Sequence, residues 1–204
     1  MGQDAPLTEG DPLEPTGRVA EILGAASRVI VREGAHGLRM ASVAREAEVS
    51  KALVHYYFPT RQDLLRSVFA WSERRWQAAL SAELDSLATG AQRLERALCA
   101  SLDTDARFSD KRALSNEVWS SLRFDDELRP RVEQSYGVWI GRLVDLVEEG
   151  HADGSIPLSV DALAAGWRLA AVGDGLDSLL YLGLVDRDRA WELMLGSIRR
   201  ELLP

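Results

Sequence analysis

The sequence predicts an all-α protein of about nine helices. Three observations support this: apolar residues recur at helical spacing, alternating strand patterns are absent, and Gly, Pro, Asp or Thr separates the apolar stripes. Of the 204 residues, 46% are hydrophobic and 27% are charged. The chain can therefore bury a core, and we do not expect it to be disordered.

The first helix is indicated by an apolar stripe that glycines bring to an end. Gly34 and Gly37 follow the stripe and should close the helix. A short second helix is expected over 41–47. The stripe of the first helix consists of Val19, Ile22, Leu23, Ala26 and Ile30.

Capping residues mark the next two helices. Ser50 can accept a free backbone N–H and cap a third helix over 51–57, which Pro59 ends. Thr60 and Asp63 form an approximate capping box at the start of a long fourth helix.

Five more helices are expected in the rest of the chain. Pro130 falls near the start of one of them, where the missing N–H is tolerated. The expected ranges are 91–103, 110–123, 126–149, 160–182 and 187–202.

Composition excludes several classes of protein. Cys99 is the one cysteine and the three histidines are scattered, so we expect no disulfide, no metal site, no cofactor and a reducing cytoplasmic setting. Residues 1–16 lack the basic start and apolar run of a secretory signal. The most apolar stretch, 163–185, is interrupted by three charges, so we expect no membrane partner.

Charge is unevenly distributed along the chain. Its net value is −8. Residues 1–16 carry −4, residues 17–66 carry +3 and the remainder carries −7. A basic segment joined to an acidic body can still bind DNA, because DNA responds to the local patch.

Residues 39–58, RMASVAREAEVSKALVHYYF, have the pattern of a helix-turn-helix. We expect Lys51, His55 and Tyr56 on the outer side of the third helix. The residues expected to brace the two helices are Met40, Val43, Ala44, Ala47, Val49, Val54 and Phe58.

The segment VSKALVHYYFPTRQDLL resembles the helix-turn-helix signature of TetR-type transcriptional regulators. The resemblance covers about residues 19–65. NEVWSSL and AAVGDGLDSLLYLG are similar to the BetI-type branch of that family. The resemblance implies an acidic arm over 1–16, a DNA-binding domain over 17–62, and a helical ligand-binding and dimerisation domain over 63–204.

The same resemblance implies roles for individual residues. Ser50 and Lys51 would meet phosphate at the helix N-terminus. The residues implied to face base edges are Ala52, Leu53 and Tyr56. The residues implied to reach the DNA backbone are Arg39, His55, Tyr57, Thr60 and Arg61.

Six positions depart from the family pattern. Ala52 replaces a common Gly, and Leu53 replaces a common Thr and so lacks its hydroxyl. His55 stands where Tyr is common, and Tyr57 where His is frequent. Arg39 replaces a Thr cap, which weakens that helix start. Glu48 replaces a turn Gly and implies strain or a different turn.

The C-terminal body contains candidates for an effector site. Aromatic residues beyond those a core needs can line a cavity, and acidic groups beside them would suit a cationic ligand. Asp174 and Asp177 in an apolar helix face a ligand, a dimer partner or solvent. The candidate ligand-binding residues are Glu117, Trp119, Arg123, Tyr136, Trp139, Trp167 and Asp174.

The last two predicted helices suggest a homodimer interface. The first of them is rich in Gly and Ala, which allow close packing. An intrachain bundle in a monomer is the alternative. The residues expected to supply apolar surface are Leu163, Leu169, Leu176, Leu180, Trp191, Met194, Leu195 and Ile198.

These observations favour a ligand-responsive repressor that binds a palindromic operator as a homodimer. An activator or dual regulator would use the same DNA-binding machinery, and a helical protein-binding adaptor is a further alternative. An enzyme is not expected, because no phosphate loop, dinucleotide fingerprint or HExxH motif is present.

Overall fold

The computed structural model describes residues 17–103, 114–116 and 129–202. Within these ranges it contains eight helices and no strand, as the sequence predicted. Residues 114–116 are also helical, and the rest of the helix predicted over 110–123 lies outside the described residues. The helices are α1 (Gly17–Gly37), α2 (Met40–Glu46), α3 (Lys51–Tyr57), α4 (Arg61–Leu84), α5 (Gly90–Ala100), α6 (Arg129–Asp153), α7 (Ala162–Tyr181) and α8 (Arg187–Leu202).

The chain divides into two compact units, and the division falls inside α4 between Trp76 and Gln77. The sequence predicted a seam inside or just after the fourth helix, with the DNA-binding domain ending at residue 62. The first half of α4 belongs to the first unit because its apolar residues are buried there, and the ring of Trp71 lies 3.6 Å from the Cβ position of Gly24 in α1. The buried residues of this half are Leu64, Leu65, Val68, Phe69 and Trp71.

The first unit has an apolar core. Helix α1 is interrupted at Gly34, whose φ of 73° and ψ of 170° are not helical, which agrees with the predicted end of the stripe. The largest side chains fully buried in the described part of this unit are Ile22, Leu23, Ile30, Leu38, Leu64 and Leu114.

The second unit is a helical bundle in which α5, α6, α7 and α8 pack on one another. Helix α5 approaches α6 very closely, because a Cβ on Gly90 would lie 2.2 Å from the backbone nitrogen of Gly150. The backbone N–H of Gly90 donates to Asp153 at 2.7 Å, and that of Ala91 donates to Ser155 at 3.1 Å. Asp153 at the end of α6 and Ser155 just after it therefore accept the first backbone N–H groups of α5.

The end of α6 differs from expectation. Helix α6 continues to Asp153 rather than ending near residue 149, and it stops where Gly154 adopts a positive φ of 76°. Gly150 stays helical because a hydrogen atom in place of a side chain leaves room for Ile156, which would be 2.5 Å from a Cβ there. No helix in the described ranges is long and apolar enough to cross a membrane.

Candidate nucleic-acid interface and effector site

Helix α3 is positioned by caps at both ends. The Ser50 hydroxyl accepts the backbone N–H of Leu53 at 3.1 Å, as the sequence predicted. At the other end, the N–H of Phe58 donates to the carbonyl of Val54 at 2.9 Å. Val54 and Phe58 are buried, so the inner side of this seven-residue helix is fixed in the first unit.

The opposite side of α3 carries polar and aromatic groups in solvent. Lys51, Ala52 and His55 are exposed, and Tyr56 retains 62% of its accessible surface. Tyr57 is half-buried and meets the ring of Tyr56 edge-on at 5.1 Å. Leu53 is also half-buried. A cation, an imidazole and a phenol thus share one accessible surface.

The turn between α2 and α3 holds the two helices in their crossing arrangement. Glu48 has a φ of 54°, the left-handed backbone that the sequence suggested for this position. The N–H of Val49 donates to Ala44 at 2.9 Å, which closes the turn. Met40, Val43 and Ala44 are buried as predicted, whereas Ala47 and Val49 are only half-buried because they lie at the end of the interhelical contact.

Arg39 precedes α2 without capping it. Its backbone is extended and its side chain makes no capping hydrogen bond, as expected for a residue in place of a Thr cap. The side chain is exposed. Its guanidinium is therefore available to another partner.

The start of α4 is a complete capping box. The backbone N–H of Thr60 donates to the Asp63 carboxylate at 3.0 Å, and the N–H of Asp63 donates to the Thr60 hydroxyl at 3.0 Å. The Thr60 hydroxyl also donates to Asp63 at 2.6 Å, and this bond lowers the pKa of the Asp63 carboxyl. Arg61 is half-buried, and its Nε donates to the carbonyl of Leu38 at 2.9 Å.

The sequence argument missed an ion-pair cluster that joins α1 to α2. Glu46 accepts from Arg28 at 2.8 Å and from Arg32 at 3.1 Å. The hydrogen bonds from Arg28 and then Arg32 lower the pKa of Glu46. The spacing of the two arginines by one turn was the available signal. Their partner on α2 could be found only from the fold.

An aromatic and acidic cluster lies on α6 and α7 of the second unit. The Tyr136 hydroxyl donates to the Asp174 carboxylate at 2.6 Å, and the rings of Tyr136 and Trp167 lie 5.7 Å apart at 43°. Burial and the neighbouring carboxylate raise the pKa of Tyr136, so its phenol stays a hydrogen-bond donor. Trp167 retains 51% exposure, so one side of the cluster is accessible.

The other predicted effector residues are not placed in this cluster. Trp139 is half-buried on α6, three residues after Tyr136. Glu117, Trp119 and Arg123 lie outside the described residues.

A separate cleft of about 230 Å³ in the second unit has different walls. It is largely charged and contains the ion pair between Arg93 and Glu149 at 2.7 Å. None of the predicted effector residues lines it. Its walls are Leu84, Asp85, Arg93, Arg142, Asp145, Leu146 and Glu149.

Two family models match most of the chain. The model described as bacterial regulatory proteins of the tetR family matches residues 22–68. The model described as the C-terminal part of BetI-type transcriptional repressors matches residues 90–203. The chain belongs to the TetR family. It is a TetR-family transcriptional regulator, and α2 and α3 are its helix-turn-helix.

Solved structures of TetR-family proteins share the fold. A TetR-family transcriptional regulator from Rhodococcus sp. is 25% identical with a TM-score of 0.80, and the match covers 91% of this chain and 98% of that one. A protein from Saccharomonospora viridis, described as a transcriptional regulator and solved with choline, is 26% identical with a TM-score of 0.81, covering 88% and 94%. FadR from Bacillus subtilis, solved with stearoyl-CoA, has 18% identity and a TM-score of 0.73, covering 91% and 98%. A search of curated protein sequences found no match.

The last two helices of this TetR-family chain divide their apolar residues between an intrachain core and an exposed face. Leu163, Trp167 and Leu193 are exposed, whereas Leu169, Leu176, Met194 and Ile198 are buried within the chain. The prediction that these four supply apolar surface is therefore wrong, because α7 and α8 pack on each other. The glycines divide in the same way: a Cβ on Gly166 would meet Val144 at 3.3 Å, but one on Gly175 would meet nothing within 4 Å.

Among the described residues, no group of three or more His, Cys, Asp or Glu is placed to hold a metal ion. TetR-family regulators are generally DNA-binding proteins without enzymatic activity.

Proposed function

We propose that this TetR-family regulator is a repressor that binds a palindromic operator as a homodimer and is released by a small organic effector. The observation that carries the proposal is the exposed side of α3. The side chains of Lys51, His55 and Tyr56 are exposed there, while the helix itself is capped and anchored by its buried side. Because the helix cannot shift its buried side, these groups present a fixed pattern to a DNA groove.

The proposal assigns the contacts on α3 by chemistry. Ser50 and the Lys51 ammonium would bind phosphate at the positive end of the helix. Ala52, Leu53 and Tyr56 would face base edges, with Leu53 able to contact a thymine methyl.

The remaining contacts would go to the DNA backbone. Arg39, His55 and Tyr57 have side chains suited to phosphate. Arg61 would use guanidinium nitrogens other than its Nε, which is bound to Leu38. The Thr60 hydroxyl donates to Asp63, so a phosphate near Thr60 would have to compete with that bond.

The exposed face of α7 and α8 would form the homodimer interface. Leu163 on α7 is 58% exposed and Leu193 on α8 is 37% exposed, and Gly175 leaves an open position on α7. Residues with large apolar side chains in solvent suggest a covered surface. A four-helix interface would place two recognition helices in successive major grooves, about 34 Å apart.

The cluster of Tyr136, Trp167 and Asp174 would bind the effector, and a cationic organic molecule suits it. Aromatic faces attract cations and a carboxylate supplies a counter-charge. The similarity to the S. viridis regulator solved with choline supports this class. Effector binding would favour a conformation with altered α4, which runs through both units, and operator affinity would fall.

Selection from a random duplex pool tests the DNA-binding part of the proposal. The wild type should enrich a palindrome, and Lys51→Ala should weaken binding and reduce the salt slope by about 2 for a dimer, one phosphate in each half-site. Arg129→Ala is the matched control, because it removes an exposed cation from the second unit. Equal effects of the two variants, or no enriched sequence, would contradict the proposal.

Titration of tryptophan fluorescence with choline tests the effector site. Binding should change the emission of the wild type and release the selected DNA. Asp174→Asn should weaken choline binding, whereas Asp145→Asn, at an exposed position of α6, should not. An unchanged signal for choline and for polyamines would contradict a cationic effector.

The alternative functions predict different results. An activator or dual regulator would bind the same operator but raise transcription of a reporter, which identifies the sign of regulation. A protein-binding adaptor would show no steep loss of DNA affinity with salt.

A further inference from the structure

His55 occupies a distinctive place on the DNA-facing side of α3. It lies in the last turn of the helix, one turn after Lys51, and its ring is exposed. Among the described residues it forms no ion pair. The one hydrogen-bonding group near its ring is the carbonyl of Pro59, 3.4 Å from Nδ1.

The Pro59 carbonyl favours a proton on Nδ1 of the neutral His55 ring. A carbonyl oxygen can only accept, so Nδ1 must be the donor at this contact. In the neutral ring, Nε2 is then a lone-pair acceptor and cannot donate to a phosphate oxygen. The imidazolium donates from both nitrogens, so it can keep the Pro59 contact and bind phosphate at the same time.

We propose that protonation of His55 strengthens operator binding, so that DNA affinity rises as pH falls from 8 to 6. This inference rests on the proposed function, because it needs α3 to face DNA. Imidazole changes charge between about pH 5 and 8.

Neighbouring charges affect the protonation of His55 differently in the free and in the DNA-bound protein. Lys51 on the same helix opposes a second cation in the free protein, and a phosphate group would remove this repulsion on binding. The protein would therefore take up protons as it binds the operator, up to one for each protomer. The charged groups on the adjoining parts of α2, the turn and α4 are Arg39, Arg45, Glu46, Glu48, Arg61 and Asp63, none of which pairs with His55.

The experiment measures Kd for the duplex selected from the random pool between pH 6 and 8 at constant ionic strength. The wild-type dimer should bind about ten-fold or more tightly at pH 6 than at pH 8, from two sites that each contribute a few-fold. His55→Gln can donate to phosphate at every pH and should lose most of this dependence. His55→Lys should stay charged and bind tightly at both ends of the range.

A second readout separates a phosphate contact from a structural effect. At pH 6 the salt slope of the wild type should exceed that of His55→Gln by about 2 for the dimer. His151→Gln is the matched control, since it removes a titrating imidazole from the second unit and should keep the wild-type pH dependence. Circular dichroism checks that each variant is folded.

The outcomes distinguish this inference from the proposed function. Absence of any enriched duplex at all pH values would overturn the DNA-binding function. An enriched duplex whose affinity varies with pH identically for the wild type and His55→Gln would overturn the role of His55 alone.

Discussion

Gly90→Ala should destabilise the second unit, because the approach of α5 to α6 leaves no room for a methyl group. A Cβ on Gly90 would lie 2.2 Å from the nitrogen and 2.6 Å from the Cα of Gly150. These are backbone atoms, which cannot rotate aside, so the two helices would have to separate. Separation would also lengthen the hydrogen bonds from Gly90 to Asp153 and from Ala91 to Ser155.

The magnitude follows from these two contributions. Overpacking of a closely packed site costs about 1–3 kcal/mol. Complete loss of a hydrogen bond to a charged group costs about 1.5–3 kcal/mol, and weakening the bond costs part of this free energy. We expect a loss of about 3 kcal/mol, which lowers Tm by about 6–12 °C for a chain of this size.

Gly141→Ala is the matched control for Gly90→Ala. A Cβ there meets nothing within 4 Å, and Gly141 lies on the exposed side of α6. Alanine in place of an unconstrained helical glycine should stabilise the protein by about 0.5–1 kcal/mol. Both variants are compared by circular dichroism and urea unfolding at one protein concentration, since the proposed homodimer would make Tm depend on concentration. A shift of the same sign in the two variants, or no shift for Gly90→Ala, would refute the packing argument.

Three further predictions concern the cap, the turn and the cysteine. Asp63→Asn should cost about 1 kcal/mol at pH 7, because Asp63 accepts two hydrogen bonds from Thr60. The hydrogen bond from the Thr60 hydroxyl lowers the pKa of Asp63. This contribution to stability is therefore present above about pH 4 and is lost as the pH falls through the lower pKa of the folded state. Acid unfolding of the wild type and of Asp63→Asn checks the sign, and equal acid profiles would contradict it. Glu48→Gly should stabilise the first unit by about 0.5–1 kcal/mol in urea unfolding, because Glu48 has a φ of 54°; destabilisation would show that the Glu48 side chain matters more than its backbone. Burial raises the pKa of Cys99 to about 12, so the thiol should not react with Ellman's reagent at pH 8 until the protein unfolds, and rapid reaction of the folded protein would contradict this.

Local chemistry made the DNA-binding helices predictable from the sequence. The Ser50 cap, the Thr60 and Asp63 box and the stop at Gly34 each depend on residues within a few positions of one another. At Glu48 the sequence left strain or a different turn open, and the structure has the strained, left-handed backbone. Helical periodicity likewise indicated which side of α3 is buried.

The contacts in the second unit were less predictable, because residues far apart in the chain make them. Helical spacing shows that Leu169 and Met194 are apolar but not whether they face a neighbouring helix of the same chain or another molecule. The pairing of α7 with α8 decides that they are buried. The extension of α6 to Asp153 similarly depends on the room that Gly150 leaves for Ile156.

The sequence by itself determined the helical class, the boundaries of the helix-turn-helix and the resemblance to TetR-type regulators, since these depend on local pattern. Only the tertiary structure decided that Tyr136 binds Asp174 and that Glu46 holds two arginines of α1. A side chain's hydrogen-bonding partner depends on the path of the backbone in three dimensions, and spacing along one helix does not specify that path.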